Sequence, residues 1–182
     1  MKYILCLFAL ILLASCANES NNENFDAATY YRNKPLESPI PYKSETIEFK
    51  NVEDSIMLRG TLTYPDTESQ SYPAVVLMHG SGRNVRDYKV YGHKTFLVMA
   101  DYLSRNGIAV LRYDKRGSDE SGGDFDTATY DDFASDGWSA VRYLKERKDV
   151  DFKSVGIAGH SEGGATGPMV AAKHKLNFFI IS

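Results

Sequence analysis

The chain has 182 residues, which is enough for one α/β domain, and it contains no internal repeat. Its formal net charge of −3 argues against a nucleic-acid partner, which a strongly basic surface would attract. The two cysteines, Cys6 and Cys16, both lie near the N-terminus. The predicted folded part therefore has no disulfide and must rest on its own apolar core.

Residues 1–16 are predicted to form a bacterial lipoprotein signal peptide. Lys2 supplies a positive charge, and the apolar run at 3–13 is shorter than the about 20 residues that a membrane-spanning helix needs. The run ends in Leu13-Ala14-Ser15-Cys16, which resembles a lipobox whose cysteine is diacylated and becomes the new N-terminus. The alternative is a plain cleavable signal with an incidental cysteine. Either interpretation predicts export, and the first predicts a lipid anchor in the bacterial cell envelope.

Residues 17–42 are polar and end in several prolines, so we interpret them as a tether that cannot fold alone. From residue 43 to residue 182 the hydrophobic pattern alternates between strand and helix periods. Strands are predicted at 46–49, 57–64, 73–78, 108–113, 154–158 and 177–182, the first two of them antiparallel. Helices are predicted at 96–104, 130–147 and 165–175, the second with a capping box formed by Thr129 and Asp132. Strands that alternate with helices predict an α/β fold with parallel pairing and right-handed crossovers.

The segment Gly159-His160-Ser161-Glu162-Gly163 lies between a predicted strand and a predicted helix. In that context G-x-S-x-G is typical of a nucleophile elbow. The flanking glycines let the chain reverse sharply, because side chains there would clash with the neighbouring strand and helix. The turn would lift the Ser161 hydroxyl above the sheet edge at a helix N-terminus. A solvated serine in an ordinary glycine-rich turn is the alternative.

The segment His79-Gly80-Ser81-Gly82 directly follows the third predicted strand. Acyl transfer builds negative charge on a carbonyl oxygen, which needs two preorganised hydrogen-bond donors. We expect these donors to be the backbone N–H groups of Ser81 and of Glu162, the residue after Ser161. For His79 itself we expect a structural hydrogen bond and no catalytic role. His174 is excluded as a base for Ser161, because 13 residues of helix separate them by about 20 Å.

These motifs resemble the α/β-hydrolase superfamily, and more narrowly its bacterial serine esterases and prolyl-oligopeptidase-like peptidases. The segment at 113–117, Tyr-Asp-Lys-Arg-Gly, adds to the resemblance, which covers residues 46–182. It implies a mostly parallel central sheet with helices on both faces, of which the chain holds the N-terminal portion with about six strands. The chain departs from the pattern at 165–167, where bulkier apolar residues are usual, and at Asp119, where glycine is common. For the acidic loop at 117–126 we expect a structural salt bridge that shapes the loop, and contact with substrate is the alternative.

The resemblance implies a serine hydrolase that cleaves carboxylic esters through an acyl-enzyme on Ser161. The acid and the histidine of its catalytic triad would follow residue 182, so we interpret residues 43–182 as an incomplete domain of a longer enzyme. No group of residues has metal-ligand spacing, so no metal or other cofactor is expected. Two alternatives stay open: a prolyl-oligopeptidase-like or aminopeptidase-type serine peptidase, and a catalytically inactive surface lipoprotein. The expected partners are a small ester or peptide substrate and the membrane, with the oligomeric state unknown.

Lipidation of Cys16 can be tested directly. Mass spectrometry of the membrane fraction should find an N-terminus at a diacylated Cys16, because the apolar run ends in small residues that a lipoprotein signal peptidase accepts. The Cys16→Ala variant should then leave the membrane fraction. A soluble periplasmic product that is unchanged by Cys16→Ala would refute the anchor and leave only secretion.

Overall fold

The computed structural model describes residues 38–67, 71–148 and 151–182. The predicted signal peptide with Cys16, and the predicted tether as far as residue 37, lie outside these ranges. The elements in chain order are β1 (Tyr42–Asn51), β2 (Ile56–Pro65), β3 (Ser71–Met78), β4 (Lys89–Val90), β5 (His93–Lys94), α1 (Thr95–Arg105), β6 (Ala109–Tyr113), α2 (Tyr130–Glu146), β7 (Asp151–Gly159), α3 (Glu162–Lys173) and β8 (Phe179–Ile181). Within the described ranges, none of the helices combines the length and hydropathy needed to cross a membrane.

Six strands form one sheet in the order β1-β2-β6-β3-β7-β8, and β4 pairs only with β5 in a separate hairpin. β1 and β2 are antiparallel, as predicted, and β2 is also antiparallel to β6. The remaining neighbours, β6 with β3, β3 with β7 and β7 with β8, are parallel. The predicted sheet of about six strands, mostly parallel, is confirmed.

Helices cover both faces of this sheet, and the side chains of β3 show how. Ala74, Val76 and Met78 belong to one buried cluster, whereas Val75 and Leu77 belong to the other. Successive strand residues point to opposite faces, so the two clusters lie on opposite sides of the sheet. The second cluster receives Phe96 and Ala100 of α1. The first cluster receives side chains of α2 and α3, namely Ala134, Ala140, Val141, Leu144 and Val170.

The predicted helix boundaries are close to those observed, with one difference that has a physical reason. α2 begins after the predicted capping box, in which Thr129 and Asp132 bind each other's backbone N–H groups. α3 was expected from residue 165, but it begins at Glu162 and includes Gly163. A Cβ on Gly163 would lie 2.4 Å from the carbonyl oxygen of Met78. Tertiary packing therefore requires glycine here and overrides its low helix propensity.

Two phenylalanines near β8 lie against glycines of neighbouring elements. A Cβ on Gly156 of β7 would lie 2.4 Å from the ring of Phe178, and a Cβ on Gly167 of α3 would lie 2.2 Å from the ring of Phe179. Phe178 packs on one core cluster and Phe179 on the other, so the two rings lie on opposite faces of the sheet. Gly167 is one of the positions where the sequence departs from the family pattern, and its missing side chain makes room for Phe179.

A buried ion-pair network joins the β1–β2 turn, the segment after β6 and α2. The guanidinium of Arg116 donates two hydrogen bonds of 2.8 Å to Asp136, which is 1% exposed, and one of 2.6 Å to Asp54. Asn51 donates a further bond of 2.8 Å to Asp136. Burial opposes the charge on Arg116, but its bonds to Asp136 and Asp54 outweigh burial and raise its pKa above the ordinary value. Burial also raises the pKa of Asp136, and its hydrogen bonds with Arg116 and Asn51 act in the opposite direction by favouring the carboxylate.

The Arg116→Met variant should lose about 3–5 kcal/mol in free energy of unfolding, because it leaves the carboxylate of Asp136 buried without its counter-ion. Urea denaturation measures the loss. The matched control is Arg142→Met, whose partner Glu146 lies one turn along α2 with its side chain 68% exposed. That control should change stability by about 1 kcal/mol or less. Equal losses in the two variants would contradict a special role for the buried network.

Candidate active site

Ser161 occupies the turn between β7 and α3 in a strained backbone conformation. Its φ of 52° and ψ of −110° are unusual for a residue with a side chain, and it is the N-cap residue of α3. The turn is held by backbone hydrogen bonds from His160 N–H to Met78 O at 3.0 Å and from Ser161 N–H to Ser182 O at 3.2 Å. The side chain is exposed. The predicted strand-turn-helix arrangement around this serine is therefore present.

The glycines of the motif are required by backbone contacts. A Cβ on Gly159 would lie 2.1 Å from the carbonyl oxygen of Gly163, and a Cβ on Gly163 would lie 2.4 Å from that of Met78. Backbone atoms in a sheet and a helix cannot move aside as a flexible side chain can, so these positions exclude every other residue type. The reason for the glycines inferred from the sequence, a clash with the neighbouring strand and helix, matches these contacts.

The loop after β3 lies directly against Ser161. A Cβ on Gly80 would lie 3.3 Å from the Cβ of Ser161 and 2.3 Å from the hydroxyl oxygen of Tyr88. The side-chain amide of Asn84 donates to the carbonyl oxygens of Gly80, Ser81 and Gly82 at 2.9–3.1 Å. In the described part of the chain, the N–H groups of Ser81 and Glu162 donate to no backbone carbonyl.

His79, which directly follows β3, lies in a cluster of aromatic rings. It is 3% exposed, and its ring centroid lies 5.0 Å from that of Phe96, 5.6 Å from that of Tyr88 and 5.5 Å from that of Tyr113. A hydrogen bond to the backbone of Val85 agrees with the structural role expected for this histidine. Its Nε2 is buried with no partner among the described residues. Burial, helped by the charge of Lys115, lowers the pKa of His79 to about 3.

The three residues after β6 each enter a different buried ion pair. Asp114 pairs with Arg86, Lys115 with Glu162, and Arg116 with Asp136. The expectation of structural salt bridges in the following loop also holds, since Arg86 pairs with Glu120 and Arg83 pairs with Asp126.

Asp114, Asp119 and Glu120 bring carboxylate oxygens within 4.8 Å of one another, which the sequence did not predict. Arg86 pairs with both Asp114 and Glu120 and so compensates their charge. Asp119 has a φ of 46°, in the region that favours glycine, which explains why glycine is common at this position. We assign no ion to this cluster.

The sequence did not indicate that Asn84 and the hydroxyl of Tyr88 lie beside Gly80, or that Lys115 pairs with Glu162. Lys115 belongs to the segment singled out at 113–117, but nothing in that segment indicates that its ammonium reaches Glu162, 47 residues away. Asn84 and Tyr88 lie in a loop without hydrophobic periodicity. The closeness of Gly80 to Ser161 was expected from the two motifs and is present.

Comparison with known proteins identifies the family. Residues 54–181 match the X-Pro dipeptidyl-peptidase (S15) family. The chain belongs to this family. This S15-family chain is 41% identical over 120 residues to esterase EstD of Thermotoga maritima, a match that covers 66% of the chain and 28% of EstD. It is 29% identical over 137 residues to thiohydrolase aneE of Aspergillus aculeatus, covering 75% of the chain and 40% of aneE. The chain thus spans less than half the length of these curated relatives.

Solved structures agree on the fold. Hypothetical protein PA2218 from Pseudomonas aeruginosa is 21% identical, with a TM-score of 0.68 over 81% of the S15-family chain and 44% of its own. The α/β hydrolase GrgF from Penicillium sp. is 25% identical, with a TM-score of 0.62 over 76% of the chain and 45% of its own. The predicted resemblance to the α/β-hydrolases is confirmed, and the described residues correspond to the N-terminal portion of that fold.

The buried His79 predicts a pH dependence of stability. Its folded pKa of about 3 lies below the ordinary value of 6.5. Between these values the unfolded chain binds a proton that the folded protein does not, so stability falls as the pH drops through this window. His79→Phe should remove this loss of unfolding free energy, which amounts to about 2 kcal/mol between about pH 6.5 and pH 5.

Urea denaturation of both proteins at about pH 7 and about pH 5 measures the difference. The control is His93→Gln, a histidine of β5 outside the aromatic cluster. If His79→Phe loses as much stability on acidification as the unmodified protein, the buried ring is not the group responsible.

Proposed function

We propose that this protein is a serine hydrolase that cleaves carboxylic esters through an acyl-enzyme on Ser161. The observation that carries the proposal is the conformation of this residue, an exposed serine with a φ of 52° at the first turn of α3. Strained backbone persists only where its surroundings enforce it, and it concentrates at functional sites. Here the enforcing contacts are the backbone approaches of Gly159 and Gly163.

In the proposed reaction the Ser161 Oγ attacks the acyl carbon while a general base takes its proton. The negative charge that develops on the carbonyl oxygen is bound by the N–H groups of Ser81 and Glu162. The tetrahedral intermediate collapses, the alcohol leaves with the proton returned by the base, and Ser161 keeps the acyl group. Water then attacks the acyl carbon while the base takes its proton. The second tetrahedral intermediate collapses, the base returns the proton to the Ser161 Oγ, and the acid leaves.

We propose that the base is a histidine after residue 182, oriented by a carboxylate also after residue 182, in the family order of serine, acid and histidine. The chain covers only 28% of EstD, which leaves room for both residues in a longer protein. Two histidines of the described part are unsuited to the task. His79 is neutral and enclosed by aromatic rings, and His174 stacks on Trp138 at 3.8 Å.

Ester hydrolysis is favoured by the 41% identity to EstD, whose name describes an esterase. A second candidate, cleavage of a peptide bond, is favoured by the description of the matched family, X-Pro dipeptidyl-peptidase. A panel of p-nitrophenyl esters compared with a dipeptidyl p-nitroanilide that carries proline in its second position separates the two. Faster turnover of the anilide would replace the ester assignment.

We further propose that the enzyme acts from the bacterial cell envelope, anchored through a lipid on Cys16.

Ser161→Ala should abolish hydrolysis in the full-length protein and leave folding intact, because an exposed side chain contributes little to stability. Loss of a triad nucleophile lowers turnover by on the order of 10⁶-fold in a serine protease. The assay is p-nitrophenyl acetate hydrolysis together with fluorophosphonate labelling. The control is Ser154→Ala, a half-buried serine on β7, the strand that leads into the elbow. Retention of more than about a tenth of the activity in Ser161→Ala would refute this assignment.

A further inference from the structure

Lys115 follows β6 directly and carries a buried ammonium group. Its side chain is 5% exposed. Its Nζ donates hydrogen bonds to the carbonyl oxygens of Gly80 at 3.2 Å and Gly82 at 3.4 Å, and a third bond joins Nζ to the Glu162 carboxylate. An ammonium group has three N–H donors, so these three acceptors use all of them.

The two carbonyl contacts orient the loop after β3. The C=O of Gly80 and the N–H of Ser81 belong to one peptide unit, and in a planar trans peptide they point in opposite directions. Because the Gly80 oxygen faces Lys115 and the amide of Asn84, the N–H of Ser81 faces away from both. The same two side chains bind the Gly82 oxygen. The loop is therefore held on either side of Ser81.

The third contact reaches the elbow. Glu162 is the first residue of α3, and its N–H is the second proposed oxyanion donor. Its carboxylate is 9% exposed and pairs with Lys115. The ring of Phe133 lies 4.1 Å from the Lys115 Nζ and that of Phe125 lies 5.4 Å from it. These rings keep water from the ion pair, and the low local dielectric strengthens it.

We propose that Lys115 is a positioning residue that sets the spacing between the N–H groups of Ser81 and Glu162. One ammonium joins the two chain segments that supply these donors. The inference rests on the proposed serine hydrolase function. Oxyanion donors lower a barrier only if they are in place before the charge develops. A displacement of about 1 Å can lower a rate on the order of 10²-fold.

A purely structural ion pair would have different consequences. If Lys115 served only to neutralise Glu162, replacing both residues by neutral side chains would restore both kcat and the midpoint of thermal unfolding. If Lys115 also holds the Gly80 and Gly82 carbonyls, neutralising Glu162 restores stability but leaves the loop without its ammonium contact. The variants Lys115→Met and Lys115→Met/Glu162→Gln therefore separate the two roles.

The test measures kcat and KM for a p-nitrophenyl ester in the full-length protein, together with the midpoint of thermal unfolding. For Lys115→Met we expect kcat to fall by about 10- to 100-fold with KM within about threefold, because the lost contacts act in the transition state. The double variant should recover the unfolding midpoint of the unmodified protein and keep the low kcat. Lys173→Met, which removes an exposed lysine at the end of α3, should leave both unchanged.

Two results would overturn the inference. One is a kcat in Lys115→Met equal to that of the unmodified protein. The other is recovery of kcat in the double variant, which would reduce Lys115 to a counter-ion. If Lys115→Met does not fold, the double variant alone decides. Fluorophosphonate labelling of the unmodified protein distinguishes failure of the proposed serine hydrolase function from failure of the inference about Lys115. Absence of label on Ser161 would overturn the proposed function and this inference together, whereas normal labelling with unchanged turnover in Lys115→Met would overturn only the inference.

Discussion

The site depends on a close approach of three backbone segments, the end of β3, the end of β7 and the start of α3. Gly159, Gly163 and the carbonyl of Met78 meet so tightly that no Cβ fits between them. This contact forces Ser161 into a positive φ and brings the start of α3 beside the loop that follows β3. The energy of strain at one residue is small compared with that of the two buried core clusters on either side of the sheet, which hold the three segments together.

Around this contact, buried charges connect the loops at the carboxyl ends of the parallel strands. Asp114, Lys115 and Arg116 are consecutive, yet each pairs with a different element: the loop after β3, the start of α3 and the middle of α2. Ion pairs of this kind add little net stability compared with apolar packing, but each is sensitive to the loss of either partner. They therefore specify the arrangement of the loops more than they stabilise the domain. Function concentrates at this end of open α/β sheets, where the geometry of loops decides activity.

Periodicity and glycine placement were enough to predict the six strands of the main sheet, the three helices and the strand-turn-helix arrangement around Ser161, but not the β4–β5 hairpin. Each of these depends on residues close in sequence, such as the alternation in β3 or the capping box of Thr129 and Asp132. The side chains that hold the site together were not predictable in the same way. Lys115 and Glu162 are 47 residues apart, and Arg86 and Asp114 are 28 apart. Their pairing follows only from the order of the strands in the sheet. Asn84 acts on carbonyls of its own loop, but no sequence pattern reveals which way those carbonyls point.

The phenylalanines near β8 have a consequence for how this family can diversify. The rings of Phe178 and Phe179 occupy the space left by the missing side chains of Gly156 and Gly167, one on each face of the sheet. Enlarging either glycine without shrinking its phenylalanine would force the strand away from β7, and the reverse change would leave a cavity. The two pairs should therefore vary together among relatives, with a larger residue in α3 accompanied by a smaller one in β8. A chimera that exchanges β8 between relatives would have to carry the matching segment of α3 with it.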